Sequence, residues 1–185
     1  MTPAGRYDGI AILFHWLVAV LIIANIGLAW SLDSFDHHDP VHQKILTIHK
    51  SIGTTILLLA VLRLVWRWMH PAPVLPETIP RWKRIAARTD QVLLFAVLFI
   101  MPLSGLIDAS AFSQPVQYFF LFDLPALTGH NEPLGHIAFA VHQITALILY
   151  GLLLLHAGAA LHHHYVLKDG ILRRMLPRGR RSAFD

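Results

Sequence analysis

Four histidines stand inside otherwise apolar stretches of this chain: His15, His49, His142 and His156. The last two bracket the run "HQITALILYGLLLLH", residues 142–156. An imidazole in hydrocarbon is unfavourable unless a partner offsets its desolvation, so each of the four requires one. Imidazole titrates near neutral pH and is also a common metal ligand. The chain has 13 histidines and no cysteine. The lack of cysteine excludes disulfides, thiolate metal sites, iron–sulfur clusters and thioether-linked haem. Chemistry at these positions therefore rests on imidazole.

The elements that must position these residues are membrane spans. The sequence is 55% hydrophobic and only 14% charged, too apolar for an ordinary soluble domain. Four apolar stretches, approximately 10–30, 45–67, 90–109 and 137–161, each approach the ~20 residues needed to cross ~30 Å of hydrocarbon. Lys50, Arg63 and Pro102 interrupt the second and third. Segment 111–130 is apolar but broken by Pro115 and Pro125, and it reads as an interfacial loop with aromatic anchors. The first stretch has no small-residue cleavage site close behind it and reads as a retained helix. The expectation is an all-α protein, an integral membrane four-helix bundle formed as a single domain over residues 1–185.

Charge then sets orientation. The loop after the second span carries Arg67, Arg81, Lys83, Arg84 and Arg88, and the tail carries Lys168, Arg173, Arg174, Arg178, Arg180 and Arg181. The other two loops carry Asp33, Asp36, Asp39, Asp123 and Glu132, with Lys44 the main exception. The positive-inside rule places both termini in the cytoplasm. Basic residues beside apolar spans are topology signals, so the net charge of +4 does not imply a nucleic-acid partner.

Orientation gives each histidine a depth. His15 and His156 fall toward the cytoplasmic face, and His49 and His142 toward the outer face. Along the fourth span, the fourteen residues from His142 to His156 rise about 21 Å and rotate the imidazoles by only about 40° from each other. Both point into one interior, stacked near the two faces. A haem iron leaves two axial positions that facing histidines can fill, and bundle interiors are usual places for such sites. The reading is two haems b, non-covalent and bis-histidine, in the pairs His15–His156 and His49–His142. Alternatively, a single membrane histidine can hydrogen-bond a neighbouring helix. A histidine-rich metal or proton transporter would normally add membrane carboxylates, and only Asp90 and Asp108 occur, at the edges of the third span.

Arg63 follows His49 by fourteen residues, so it shares that helix face but lies at the depth of His156. A buried arginine needs an anion, and haem propionates suit its bidentate fork. Arg67 is one turn further on, and Lys50 is a weaker propionate partner on the outer side; snorkelling to the interface is the alternative for both arginines. Gly53, Ser104, Gly105, Gly151 and Gly158 allow close approach of a helix or a porphyrin.

The motifs "RYDGIAILFHWLVAVLI", "HKSIGTTILLLAVLRLVWR", "MPLSGLI" and "HAGAALHHHYVLKDGILRRMLP" resemble, in order and over nearly the whole chain, the bacterial cytochrome b561 family. The resemblance extends to the b-type cytochrome subunits of nickel–iron hydrogenases. It implies a four-helix, di-haem membrane cytochrome that exchanges electrons with the quinone pool, with axial ligands at His15, His49, His142 and His156. It further implies superoxide as outer-face donor and ubiquinone as acceptor, hence a superoxide:ubiquinone oxidoreductase, or otherwise a cytochrome b subunit serving a partner dehydrogenase or hydrogenase. The outer loops offer an anion Lys44, Lys50, His37, His38, His42, His130 and His136 against several carboxylates. His163, His164 and Tyr165 supply hydrogen-bond and proton groups for a quinone, or else form an interfacial belt on anionic lipid. The short loops leave little docking surface for an obligate protein partner. Membrane lipid, a quinone and an outer donor are the expected partners.

Overall fold

The computed structural model describes residues 5–73 and 79–176; Arg178, Arg180 and Arg181 lie outside the described residues. Four long helices dominate: α1 (Gly9–Leu32), α2 (Pro40–Met69), α3 (Arg81–Ala111) and α4 (Glu132–His162). All four are long and apolar enough to cross a membrane. They extend beyond the apolar stretches at their ends, because polar residues at the interface carry the helices past the hydrocarbon.

Local chemistry starts three of them. The Asp8 carboxylate caps α1 by accepting from the Ala11 amide at 2.9 Å. Asp39 accepts from Val41 N at 2.7 Å ahead of Pro40, and Asn131 accepts from Leu134 N at 3.1 Å. α3 begins after Pro80 without a side-chain cap. Pro102 lies inside α3, where it removes one backbone donor.

Sequential helices are neighbours, and the close pairs are α1–α2, α2–α3 and α3–α4. The first and last described segments meet at one end of the bundle. Tyr7 N donates to Arg174 O at 3.5 Å, Arg6 Nη2 to Leu176 O at 2.8 Å and Trp16 Nε1 to Met175 O at 2.7 Å. This is the terminal end. A packed core of Val18, Ile22, Ile56, Ala60, Val97, Leu98 and Leu149 occupies the middle of the bundle.

The loop at the opposite end holds more order than an interfacial loop requires. Strands β1 (Val116–Tyr118) and β2 (Phe122–Leu124) pair antiparallel, with Tyr118 opposite Phe122. The turn between them places Phe119 and Phe120 at φ 47° and 63°, where glycine or asparagine is usual. The fully buried Ser51 of α2 anchors this hairpin. Its hydroxyl accepts from Phe119 N at 2.8 Å and faces the carbonyls of Gln117 at 3.0 Å and Thr47 at 2.8 Å. Thr55 and Tyr118 join their hydroxyls at 3.0 Å. At the terminal end α4 runs on through a π-helical turn, His163–Leu167, into Lys168 at φ 51°.

Candidate functional site

Two levels of histidine bracket the apolar core. At the terminal end His15 of α1 faces His156 of α4, with ring centroids 6.1 Å apart and planes at 55°. At the hairpin end His49 of α2 faces His142 of α4, 6.3 Å apart at 75°. Both pairs span the bundle to α4, which lies closest to α3. The core residues Val18, Ile56 and Leu149 fall between the two levels along α1, α2 and α4.

The spacing can be tested against a metal held between the rings. Two imidazole nitrogens, each ~2 Å from one metal, put the ring centres about 6 Å apart, as observed in both pairs. The hydrogen bonds at Nδ1 supply a second test. His142 Nδ1 donates to Met101 O at 2.9 Å, and His49 Nδ1 donates to Asn25 O at 3.3 Å. His156 Nδ1 donates to Asp90 Oδ2 at 2.8 Å. Carbonyl and carboxylate oxygens only accept, so in these three rings Nδ1 carries the hydrogen and Nε2 has its lone pair free. That is the tautomer and outer-sphere support that metal-ligating histidines have. His15 differs: the Arg63 Nη2 group donates to its Nδ1 at 3.4 Å. The donor set fits a haem iron at both levels.

Local packing holds the rings. A Cβ at Gly105 would lie 3.2 Å from His142 Nδ1 and 3.3 Å from its Cε1, so glycine is what lets α3 pass this ring. A Cβ at Gly151 or Gly158 would meet nothing within 4 Å, so contact with a neighbouring helix does not account for those two. Ser104 Oγ donates to Met101 O at 2.8 Å and lies 3.5 Å from His142 Nδ1.

The cationic residues divide between the two ends. Arg63 reaches His15 and lies 5.1 Å from the Phe95 ring centre. Together with Arg67, Tyr7, Trp66, His70 and Met175 it lines a small recess at the terminal end. Trp66 Nε1 donates to the capping carboxylate of Asp8 at 3.1 Å, which fixes one wall of that recess. At the hairpin end Lys50 Nζ donates to Gln114 Oε1 at 3.1 Å. His42, which sequence alone groups with the outer cations, is buried and bonded to Leu32 O at 3.3 Å.

The residues "HHHY" make separate contacts. His163 is tied to Asp169 by a short ion pair across the π-helical turn. His164 packs edge-on against Tyr165, which is exposed. Asp169 itself lies beyond the helix. Burial alone would raise its carboxyl, but bonds from His163 and the Ile171 amide outweigh this and hold it below its usual range.

Sequence reasoning missed Asp90. It treats this residue as an edge carboxylate, whereas the side chain is buried at 9% exposure and bonded to His156. The available signal was depth, since Asp90 opens the third span at the face where His156 ends the fourth. Among the described residues no group of three or more histidines and carboxylates is arranged to hold a bare metal ion.

These observations define a multi-pass membrane protein with two facing histidine pairs, the class to which membrane b-type cytochromes belong. The chain belongs to the prokaryotic cytochrome b561 family, which it matches over residues 6–178. It is 33% identical to cytochrome b561 homolog 2 of Escherichia coli K12, over 92% of this chain and 91% of that one. It is 30% identical to the probable superoxide oxidase CybB of Yersinia pestis, over 95% and 98%. Cytochrome b562 of Cereibacter sphaeroides is 26% identical over 95% and 98%. The chain is therefore a membrane electron-transfer cytochrome of a family that binds b-type haem.

Proposed function

We propose that this chain holds two haems b, each between two histidines, and carries electrons between a donor at the hairpin end and the quinone pool. The observation that carries this reading is the pair of facing imidazole sets, 6.1 Å and 6.3 Å apart, at the two ends of one bundle. Bound haem supplies a one-electron ferric–ferrous couple. His49 and His142 hold the iron at one level, and His15 and His156 at the other. The core between them keeps water from the path. Asn25 O, Met101 O and Asp90 orient three of the four rings through Nδ1.

Arg63 and Arg67 are the propionate partners at the terminal end. A buried guanidinium is stabilised by an anion, and moving Arg63 from His15 to a propionate restores to His15 the tautomer of its three counterparts. Lys50 is the cation nearest in sequence to the hairpin-end ligand His49 and serves either a propionate or an anionic donor. His164 and Tyr165 are the groups offered to a quinone headgroup, with His163 occupied by Asp169.

The basic residues Arg67, Arg81, Lys83, Arg84, Lys168 and Arg173 gather at the terminal end, which supports cytoplasmic termini in a bacterial inner membrane. The relative named as a probable superoxide oxidase favours superoxide as donor and ubiquinone as acceptor. Short loops favour a protein that acts without a large obligate partner.

Purified protein is expected to be red, with a Soret band, and pyridine haemochrome should give two haems b per chain. A colourless preparation containing zinc would overturn the reading in favour of a metal transporter. Mixing oxidised protein with superoxide and a quinone tests the activity. Haem reduction no faster than spontaneous dismutation would reject superoxide as donor and leave an electron-transfer subunit.

A further inference from the structure

Three of the four ring nitrogens facing away from the pairs donate to oxygen, but only one of those oxygens carries a charge. His49 and His142 donate to the main-chain carbonyls of Asn25 and Met101. His156 donates to the carboxylate of Asp90 at 2.8 Å. Asp90 is buried, and its second oxygen, Oδ1, is shielded from solvent without a hydrogen-bond partner among the described residues. No second donor draws its negative charge away from the imidazole. α3 and α4 are close neighbours along their length, so the pair is held by packed helices and not by a loop.

A carboxylate bonded to a ligating imidazole makes that ring a stronger donor to the metal and fixes its orientation. A stronger donor and a nearby anion both favour the more positive, ferric state, which lowers the reduction potential. A neutral carbonyl does this far less. The opposing influence at the same level is Arg63, whose guanidinium faces the other ligand, His15. The effect of Asp90 is therefore isolated by changing Asp90 alone.

We propose that Asp90 is a positioning residue for His156 that sets the haem at the terminal end to a lower potential than a neutral acceptor at the same nitrogen would give. The inference rests on the bis-histidine reading above and adds to it a difference between the two levels: one ligand shell charged, the other neutral. Asp90 acts through His156 and touches no substrate.

The test is a spectroelectrochemical titration of the intact, haem-loaded protein, with low-temperature EPR of the ferric haems as a second readout. Asp90→Asn keeps an oxygen that accepts from Nδ1 and removes the charge. One of the two transitions should move to higher potential, with a change in the g-values of the same haem, while the other stays in place. The haem that moves should be the one missing from His15→Ala. Asp90→Glu restores the charge and should bring the potential back toward that of the unaltered protein. Unaltered protein that binds no haem would overturn the bis-histidine reading and this inference together. Two haems whose potentials stay fixed in Asp90→Asn, or move alike, would overturn this inference alone. Lowered thermal stability with fixed potentials is that same negative result, because it leaves Asp90 as an ion pair joining α3 to α4.

Discussion

Gly105 lies against the imidazole of His142 so closely that a Cβ would stand 3.2 Å from Nδ1. The same nitrogen donates to Met101 O at 2.9 Å, so the ring is confined between α3's backbone and its own hydrogen bond. Gly105→Ala should tilt the ring and lengthen that bond, costing about 1–3 kcal/mol as overpacking does. The expected readout is a perturbed or partly lost haem at the hairpin end, seen in haem content and in the split α-bands. Gly27→Ala, at an exposed position of α1 where a Cβ meets nothing within 4 Å, is the comparison. Equal effects at both positions would show that the crowding at His142 has no special role.

The two levels should be separable. His15→Ala and His156→Ala each remove one ring from the terminal pair and leave the 6.3 Å pair of His49 and His142 untouched. Each variant should keep one haem per chain by pyridine haemochrome and lose the same spectral component. Loss of both haems from either variant would place the pairing in doubt. His49→Ala should remove the other component.

Depth was legible in the sequence because it is one-dimensional. Hydropathy marks the spans, successive spans reverse direction, and distance along each helix does the rest. Rotation about the helix axis was not legible at span edges, so Asp90 read as an interfacial carboxylate although it is buried against His156. The hairpin over Ser51 was hidden for another reason. Its turn uses Phe119 and Phe120 at positive φ, where no glycine or asparagine announces it. The ion pair of His163 depends on a π-helical turn and a left-handed Lys168, neither of which has a periodicity to read. The small recess around Arg63 needs Met175 of the tail, whose return to α1 rests on main-chain carbonyls meeting Arg6 and Trp16.

Ser51 should be more important than its size suggests. Its hydroxyl, fully buried, joins α2 to the hairpin through Phe119 N and Gln117 O. Ser51→Ala removes the side-chain partner of the Phe119 amide and the Gln117 carbonyl, a loss of about 0.5–1.5 kcal/mol for a hydrogen bond. The strained turn at Phe119 and Phe120 then loses its tether. Hydrogen exchange should rise across residues 116–124 while the helix centres stay protected. Unchanged exchange there would mean that the pairing of β1 with β2, and the Thr55–Tyr118 bond, suffice.

The turn that ends α4 should open in acid. Burial would raise the Asp169 carboxyl, but the bonds it accepts from His163 and Ile171 N prevail, so the folded carboxyl lies below its ordinary value of 3.8. A carboxylate depressed in this way stabilises the turn above the unfolded value, and the contribution is lost as pH falls through the folded value. The lock is complete at neutral pH and opens only below about 3.8, as Asp169 takes up its proton. Asp169→Asn removes the charge at every pH and should give, at neutral pH, the low protection factors that the unaltered chain shows only in acid. Amide exchange across 163–171, measured from pH 7 downward, distinguishes the two forms. Equal exchange in both at pH 7 would show that Lys168's left-handed turn and the Asp169 N to His163 O bond hold the segment without the ion pair.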